Sequence, residues 1–196
     1  MPVGTAQVAA LRRTFVLHAS LVGMAEIWRR VTVPSDILLA DLHAALQILF
    51  DWDDQHLHFF EHGGVRYGIP DDDEARVEDQ AGVRISALVN ETGDSLRYVY
   101  DFGDWWEHRI ELQLVRPFAA GEMLPRCLDG ARCGPPEDCG GVDGFRHLLE
   151  VIADAKHPEH LDMVSWLNGF YHPNAFSAAE TNDRLKRFLR RPRRSG

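Results

Sequence analysis

The sequence predicts one α+β domain: a mixed or antiparallel sheet of roughly five or six strands, an early helix packed across it, and a helical C-terminal third. Three observations carry this. Segments with period-two apolar alternation recur between Thr14 and Leu114. A run at helical spacing, Leu39, Leu42, Leu46 and Leu49, interrupts them early. Helical spacing returns from Phe145 onward. The order strand–strand–helix–strand–strand is that of a β-grasp core, although order alone does not fix pairing.

Phe15, Leu17, Ala19 and Leu21 share one face of a first strand, and Gly23 breaks it. Ile27, Arg29, Val31 and Val33 mark the face of a second, which Pro34 ends. The early helix is entered near Ser35 or Asp36, whose side chains can accept from free backbone N–H groups. Ala45 and Phe50 widen its apolar stripe, and His43 and Gln47 fall off it, toward solvent. The acidic Asp51–Gln55 turn leads into His56-Leu57-His58-Phe59-Phe60-Glu61, in which His56, His58 and Phe60 share a face. Gly63-Gly64 reads as a hairpin turn before Val65-Arg66-Tyr67.

Asp71, Asp72, Asp73, Glu74, Glu78 and Asp79 form an acid run. It is not an EF-hand, because Arg76 and Gly82 stand where the sixth-position Gly and twelfth-position Glu belong. After a short element at Val83–Val89, Tyr98, Tyr100 and Phe102 share a strand face. Past Gly103-Asp104, so do Trp106, His108, Ile110, Leu112 and Leu114. Gly, Pro and Cys then dominate from Pro117 to Gly141 with little periodicity. Phe145, Leu148, Leu149 and Ile152 mark a helix; Pro158 suits the first turn of another bearing Met163, Leu167 and Phe170; Ser177 caps a last one bearing Leu185, Phe188 and Leu189.

The 196 residues, 45% hydrophobic, suffice for one sizeable core. Arg, Asp and His interrupt every apolar run, so no membrane partner is expected. The first residues lack a secretory pattern, and an odd count of three cysteines suits a reducing cytoplasm. The net charge is −9, but Lys186, Arg187, Arg190, Arg191, Arg193 and Arg194 are clustered at the end. Without those six of 21 cations, residues 1–185 carry a formal −15 against 30 acids. Such a body repels a phosphate backbone, and nucleic acid could be drawn only by the tail. The expected division is an N-terminal extension over 1–13, the domain over 14–185 and a basic tail over 186–196.

Four stretches together resemble a known family: Trp52-Asp53-Asp54-Gln55-His56-Leu57-His58-Phe59; Tyr98 to Ile110; Pro125-Arg126-Cys127 through Pro135-Pro136-Glu137-Asp138-Cys139-Gly140-Gly141; and Pro173 to Phe176 with Asn182. The chain resembles the plasmid pRiA open-reading-frame-three-like family, also labelled TnpR-type passenger proteins of insertion sequences. The resemblance implies an α+β fold and proximity to mobile elements, and no defined activity. The resolvase label finds no support: neither a nucleophilic Ser among arginines nor a DNA-binding helix pair is recognisable. The chain departs from the family pattern at Trp105, where Gly is usual, at Gly134, where Cys is usual before Pro-Pro, and at His172, where Asp is usual.

Two site chemistries are open. Asp101, Asp104, His108, His56 and His58 form a mixed oxygen and nitrogen set of the kind a metal hydrolase places around an open coordination position. Glu137 and Asp138, adjacent carboxylates in the Pro-Pro-Glu-Asp-Cys-Gly-Gly motif, are further candidates, though an extended segment would point them apart. Cys127, Cys133 and Cys139 could hold zinc or another divalent metal with a distant His. Their five-residue separations do not match a zinc ribbon, and the motif can equally be a rigid loop. No nucleophile elbow, phosphate-binding glycine loop or His-Glu-x-x-His occurs. The first functional expectation is therefore an accessory protein binding a protein partner or small ligand. The alternative is a metal-dependent hydrolase or nuclease.

Overall fold

The computed structural model describes residues 12–70, 77–169 and 171–189. Most of the N-terminal extension, the acids at 71–74, Phe170 and the arginines after residue 189 lie outside the described residues. Eight strands form one sheet: β1 (Arg13–Leu21), β2 (Met24–Pro34), β3 (His58–His62), β4 (Val65–Gly68), β5 (Val77–Asp79), β6 (Ser95–Tyr100), β7 (Trp106–Pro117) and β8 (Arg126–Ala131). Their order is β5-β4-β3-β6-β7-β1-β2-β8, antiparallel throughout except for β4 with β5. The expected α+β domain is present, with a larger sheet.

The two extra strands had no period to betray them. β5 is three residues long. β8 is an edge strand whose pairing with β2 is offset by a bulge between Arg30 and Val31, and only Cys127 on it is fully buried. Without alternating burial there is no alternating sequence. The short element expected at Val83–Val89 is a 3-10 turn at Ile85–Ala87.

One core lies between the sheet and helix α1 (Leu39–Phe50). Phe15, Leu17, Ala19, Leu21, Ile27, Val31 and Val33 meet Leu39, Leu42, Leu46 and Leu49 there, all essentially fully buried. Neither Ser35 nor Asp36 caps the helix: it begins after Leu38, with no side-chain cap. Asp51 in the left-handed conformation ends it. The alternation on β7 holds through Leu112, then a bulge opposite Val16/Leu17 shifts the pleat by one residue. Leu114 is consequently 46% exposed, and Val115 packs inward instead.

His43 and Gln47 overturn the expectation that they face water. Both are buried on α1 against β6. The C-terminal part supplies α2 (Gly141–Ala153), α3 (His160–Trp166) and α4 (Ala178–Leu189), with the Ser177 hydroxyl accepting from Glu180 N–H at 3.3 Å at the start of α4. No helix among the described residues is long and apolar enough to cross a membrane.

Candidate functional site

Three loops at one end of the sheet build the site: residues 51–57 between α1 and β3, 101–105 between β6 and β7, and 133–140 before α2. Strong local constraints hold each loop. Asp101 leaves β6 at φ 58, and its Oδ1 accepts from Gly103 N–H at 2.8 Å and Asp104 N–H at 3.3 Å, closing an Asx-type turn. Phe102 therefore leaves the face of Tyr98 and Tyr100 and packs on the far side of the sheet with Phe59. The Trp52 indole N–H donates to Pro135 O at 2.9 Å, pinning the first loop to the third. Gly140 N–H donates to Asp104 Oδ2 at 3.1 Å, pinning the second to the third.

His56, Asp101 and Glu137 converge where these loops meet. Their ligand atoms lie within 4.8 Å of one another, a grouping that no other set of three or more His, Cys, Asp or Glu forms among the described residues. His56 Nε2 is 3.7 Å from both Asp101 Oδ2 and Glu137 Oε2, and 3.2 Å from Asp138 Oδ1. Each carboxylate uses one oxygen as an anchor. Asp101 Oδ1 holds its own turn, and Glu137 Oε1 accepts from the Tyr100 hydroxyl and from Asp53 N–H, both at 2.9 Å. The second oxygen is left toward His56. His56 Nε2 and Glu137 Oε2 are shielded from solvent and make no hydrogen bond. A buried polar atom without a partner is costly, so two facing each other call for a third species.

A divalent cation fits that description. Ligand bonds of about 2.0–2.2 Å in tetrahedral geometry place ligand atoms roughly 3.3–3.6 Å apart, close to the two 3.7 Å separations. Anchoring the ligands through outer hydrogen bonds is also how proteins orient metal-binding carboxylates. Asp138, its side chain 73% exposed, stands at the solvent edge of this cluster. Adjacent in sequence, Glu137 and Asp138 open on different clefts. One of 430 Å³ runs past Asp138, Cys139, His147 and Met163, another of 300 Å³ past Glu137, Asn168 and Tyr171, and Trp166 lines both.

Other expected site residues lie elsewhere. His58 does not join His56, because the strand begins only at His58 and His56 belongs to the preceding loop. The His58 ring stacks on His43, and its Nε2 lies 3.2 Å from Gln80 Oε1. Burial, with His43 alongside, pulls its pKa down to about 4. His108 is wholly enclosed by Phe50, Trp52 and Tyr98, and burial pulls its pKa down to about 3. Neither Asp101 nor Asp104 reaches it; its Nδ1 faces Trp106 O at 3.1 Å. Asp104 is a brace for Gly140 rather than a member of the cluster.

The cysteines do not assemble into a metal-holding group, and all three are free thiols. Cys127 is buried on β8, where burial pushes its thiol up to about 11. Cys139 is pushed up to about 12 by burial and then by the Asp104 carboxylate. These are poor thiolates.

Sequence reasoning passed over Tyr100 and the backbone N–H of Asp53, which position Glu137, because a buried tyrosine on a strand face reads as packing. It also passed over a polar cluster behind the site. His43 Nδ1 lies 2.8 Å from the Tyr98 hydroxyl, His43 Nε2 lies 2.8 Å from Asp54 Oδ1, and the Gln47 amide donates to Tyr98 at 3.1 Å. The signal available was the i, i+4 spacing of His43 and Gln47, which puts both on one side of α1.

The described plasmid pRiA4b ORF-3-like family matches residues 13–180. The chain belongs to this family. An uncharacterised protein, y4hQ, of Sinorhizobium fredii (strain NBRC 101917 / NGR234) is 35% identical over 142 residues, covering 71% of this chain and 73% of its own. The crystal structure of MM3350, a protein of unknown function from Methanosarcina mazei Go1, superimposes with a TM-score of 0.79 at 33% identity, covering 87% of this chain and 98% of that one. MM3350 shares the fold, and the two relatives are described as uncharacterised and of unknown function. They bring no activity to this chain, and no transposon-passenger role.

Proposed function

We propose that this pRiA4b ORF-3-like protein binds a divalent cation, zinc or manganese, through His56, Asp101 and Glu137, and that the ion's open position acts on a small ligand in a metal-assisted hydrolysis. The observation that carries the reading is the pair of sealed, unpartnered atoms, His56 Nε2 and Glu137 Oε2, turned toward the free oxygen side of Asp101. Three protein ligands leave coordination positions for water and substrate, the arrangement of a catalytic rather than a structural site. Asp138, exposed and beside His56, would serve as the base for a water in the open position. The two clefts that Trp166 lines, one with Asp138 and one with Glu137, are where a small ligand would approach.

The experiment is metal analysis of the purified chain after chelation and reloading with zinc or manganese, beside His56→Ala and Glu137→Gln. One ion per chain in the wild type and none in the variants is expected. Wild-type protein that takes up no stoichiometric ion would end the proposal. Loaded protein that turns over neither phosphate esters nor carboxylic esters, yet binds small ligands, would return the function to the accessory-binding class.

A further inference from the structure

A second cleft, lined by Arg29, Cys133 and Gly134, contains none of His56, Asp101 and Glu137. Arg29 occupies a core-facing position of β2, between Ile27 and Val31, and is only 2% exposed. Its Nε donates to Leu49 O at 2.7 Å, and its Nη1 to Trp28 O and Ala131 O, both at 2.8 Å. The rings of Phe50 and Phe176 sandwich the guanidinium, 5.0 and 4.4 Å from its central carbon. The carbonyls, one of them at the C-terminal end of α1, satisfy N–H groups with partial charge alone. A buried guanidinium ordinarily has a carboxylate, and among the described residues none forms an ion pair with Arg29. The charged side chain acting on it is a second cation, Arg184. Burial lowers its pKa only to about 10, so it stays charged at neutral pH.

The remaining nitrogen, Nη2, donates to no group among the described residues and is not sealed from solvent. It is therefore open to the 400 Å³ cleft that Arg29 lines. The opposite wall is the first turns of α4, with Ser177, Thr181 and Arg184. Of the cleft's carboxylates, Asp51 is already held by Arg184, and Glu180 is exposed on α4.

We infer that this cleft is a binding site for a small oxyanion, a carboxylate or phosphate group, taken between Arg29 Nη2, Arg184 and the start of α4. The guanidinium fork of Arg29 is already fixed by its three carbonyl bonds and two rings, so binding orders nothing further there. The start of α4 adds the positive end of its dipole, and the Ser177 hydroxyl lines the cleft beside it. Arg184 can release Asp51 to water and turn to the ligand, since that ion pair is exposed.

The test uses the full chain with inorganic phosphate and, separately, citrate, at constant ionic strength set with sodium chloride. Calorimetry follows binding, and the Arg29 Nε–H resonance is followed by NMR. Saturable binding of at least one of the two, with a shift of that resonance, is expected, and the tighter of the two identifies the ligand class. Arg184→Ala, on the surface and outside the core, should weaken binding about tenfold. Arg29→Lys should weaken it at least as much. If the Arg29 variant does not fold, Arg184→Ala and the wild-type resonance decide. No saturable binding, or binding that neither substitution weakens and that leaves Arg29 unmoved, an adventitious ion only, would overturn the inference.

Discussion

His43 and His58 lie ring on ring, their centroids 3.4 Å apart and their planes within 4° of parallel. One comes from a helix and the other from the sheet beneath it, so the stack is a contact between the two layers of the fold. Each ring is also tied sideways, His43 to Asp54 and Tyr98, His58 to Gln80. Burial, and then the neighbouring His43 ring, hold His58 neutral well below its ordinary range. The stack thus has consequences for stability.

Stability should fall as pH drops from about 6.5 toward 4. In the folded protein His58 stays neutral down to about 4, whereas in the unfolded chain it protonates near its ordinary 6.5. Between those values the unfolded state takes up a proton that the folded state refuses, so acid favours unfolding. His108 acts with the same sign from 6.5 down to about 3. The His58 contribution is on the order of 2–3 kcal/mol. Urea midpoints at pH 7.5 and 4.5 should differ markedly, and His58→Leu should narrow the difference; an equal slope in that variant would contradict the assignment.

Tyr98→Phe should cost about 2–4 kcal/mol. The hydroxyl serves both His43 Nδ1 and the Gln47 amide, and removing it leaves two buried polar groups unpaired. Equilibrium urea unfolding measures it; a loss below about 0.5 kcal/mol would mean that water enters and replaces the hydroxyl.

Tyr100→Phe should leave the fold intact and weaken metal binding roughly 10–100-fold, the usual effect of removing an outer-shell partner. The phenol holds Glu137 Oε1 and takes the Gln55 N–H, but it is not itself a ligand. Competition titration against a zinc-sensitive dye reads the affinity directly.

Gly134→Ala should be among the most damaging small substitutions, above about 3 kcal/mol. A Cβ there would fall 1.9 Å from Phe50 O, a backbone atom at the end of α1. Gly93→Ala, with open space around it but φ at +100°, should cost only about 1 kcal/mol. Thermal denaturation of the two side by side separates steric overlap from backbone strain.

His108→Leu should retain one ion per chain and lose little stability. Its Nε2 has no partner, so an apolar side chain of similar size removes an unsatisfied atom along with one modest hydrogen bond. Loss of metal from a folded His108→Leu protein would instead restore His108 to the site.

Much of this molecule was legible in its sequence because burial on one face imposes a period. Phe15 to Leu21, Ile27 to Val33 and Trp106 to Leu112 face the core as their alternation requires, and Leu39 to Leu49 do so at helical spacing. Tyr98, Tyr100, Trp106 and His108 also face inward as their alternation requires, whereas the turn at Asp101 sends Phe102 to the far side. Where burial is not periodic, the sequence was silent: β5 and β8 are edge strands, and the bulge opposite Val16/Leu17 reversed Leu114. The candidate site was half visible, since residue type marks His56, Asp101 and Glu137 as potential ligands. Which of the ten histidines and 30 acids meet was decided by three loops. Glu137 is 81 positions from His56, and the indole of Trp52 on Pro135 O and the N–H of Gly140 on Asp104 bring them together. Such contacts are set by backbone geometry at turns, by Asp101 in a left-handed conformation and Gly134 against Phe50, which no local pattern encodes. The same holds for Arg29: its position on a core-facing strand was readable, and its lack of a carboxylate was not.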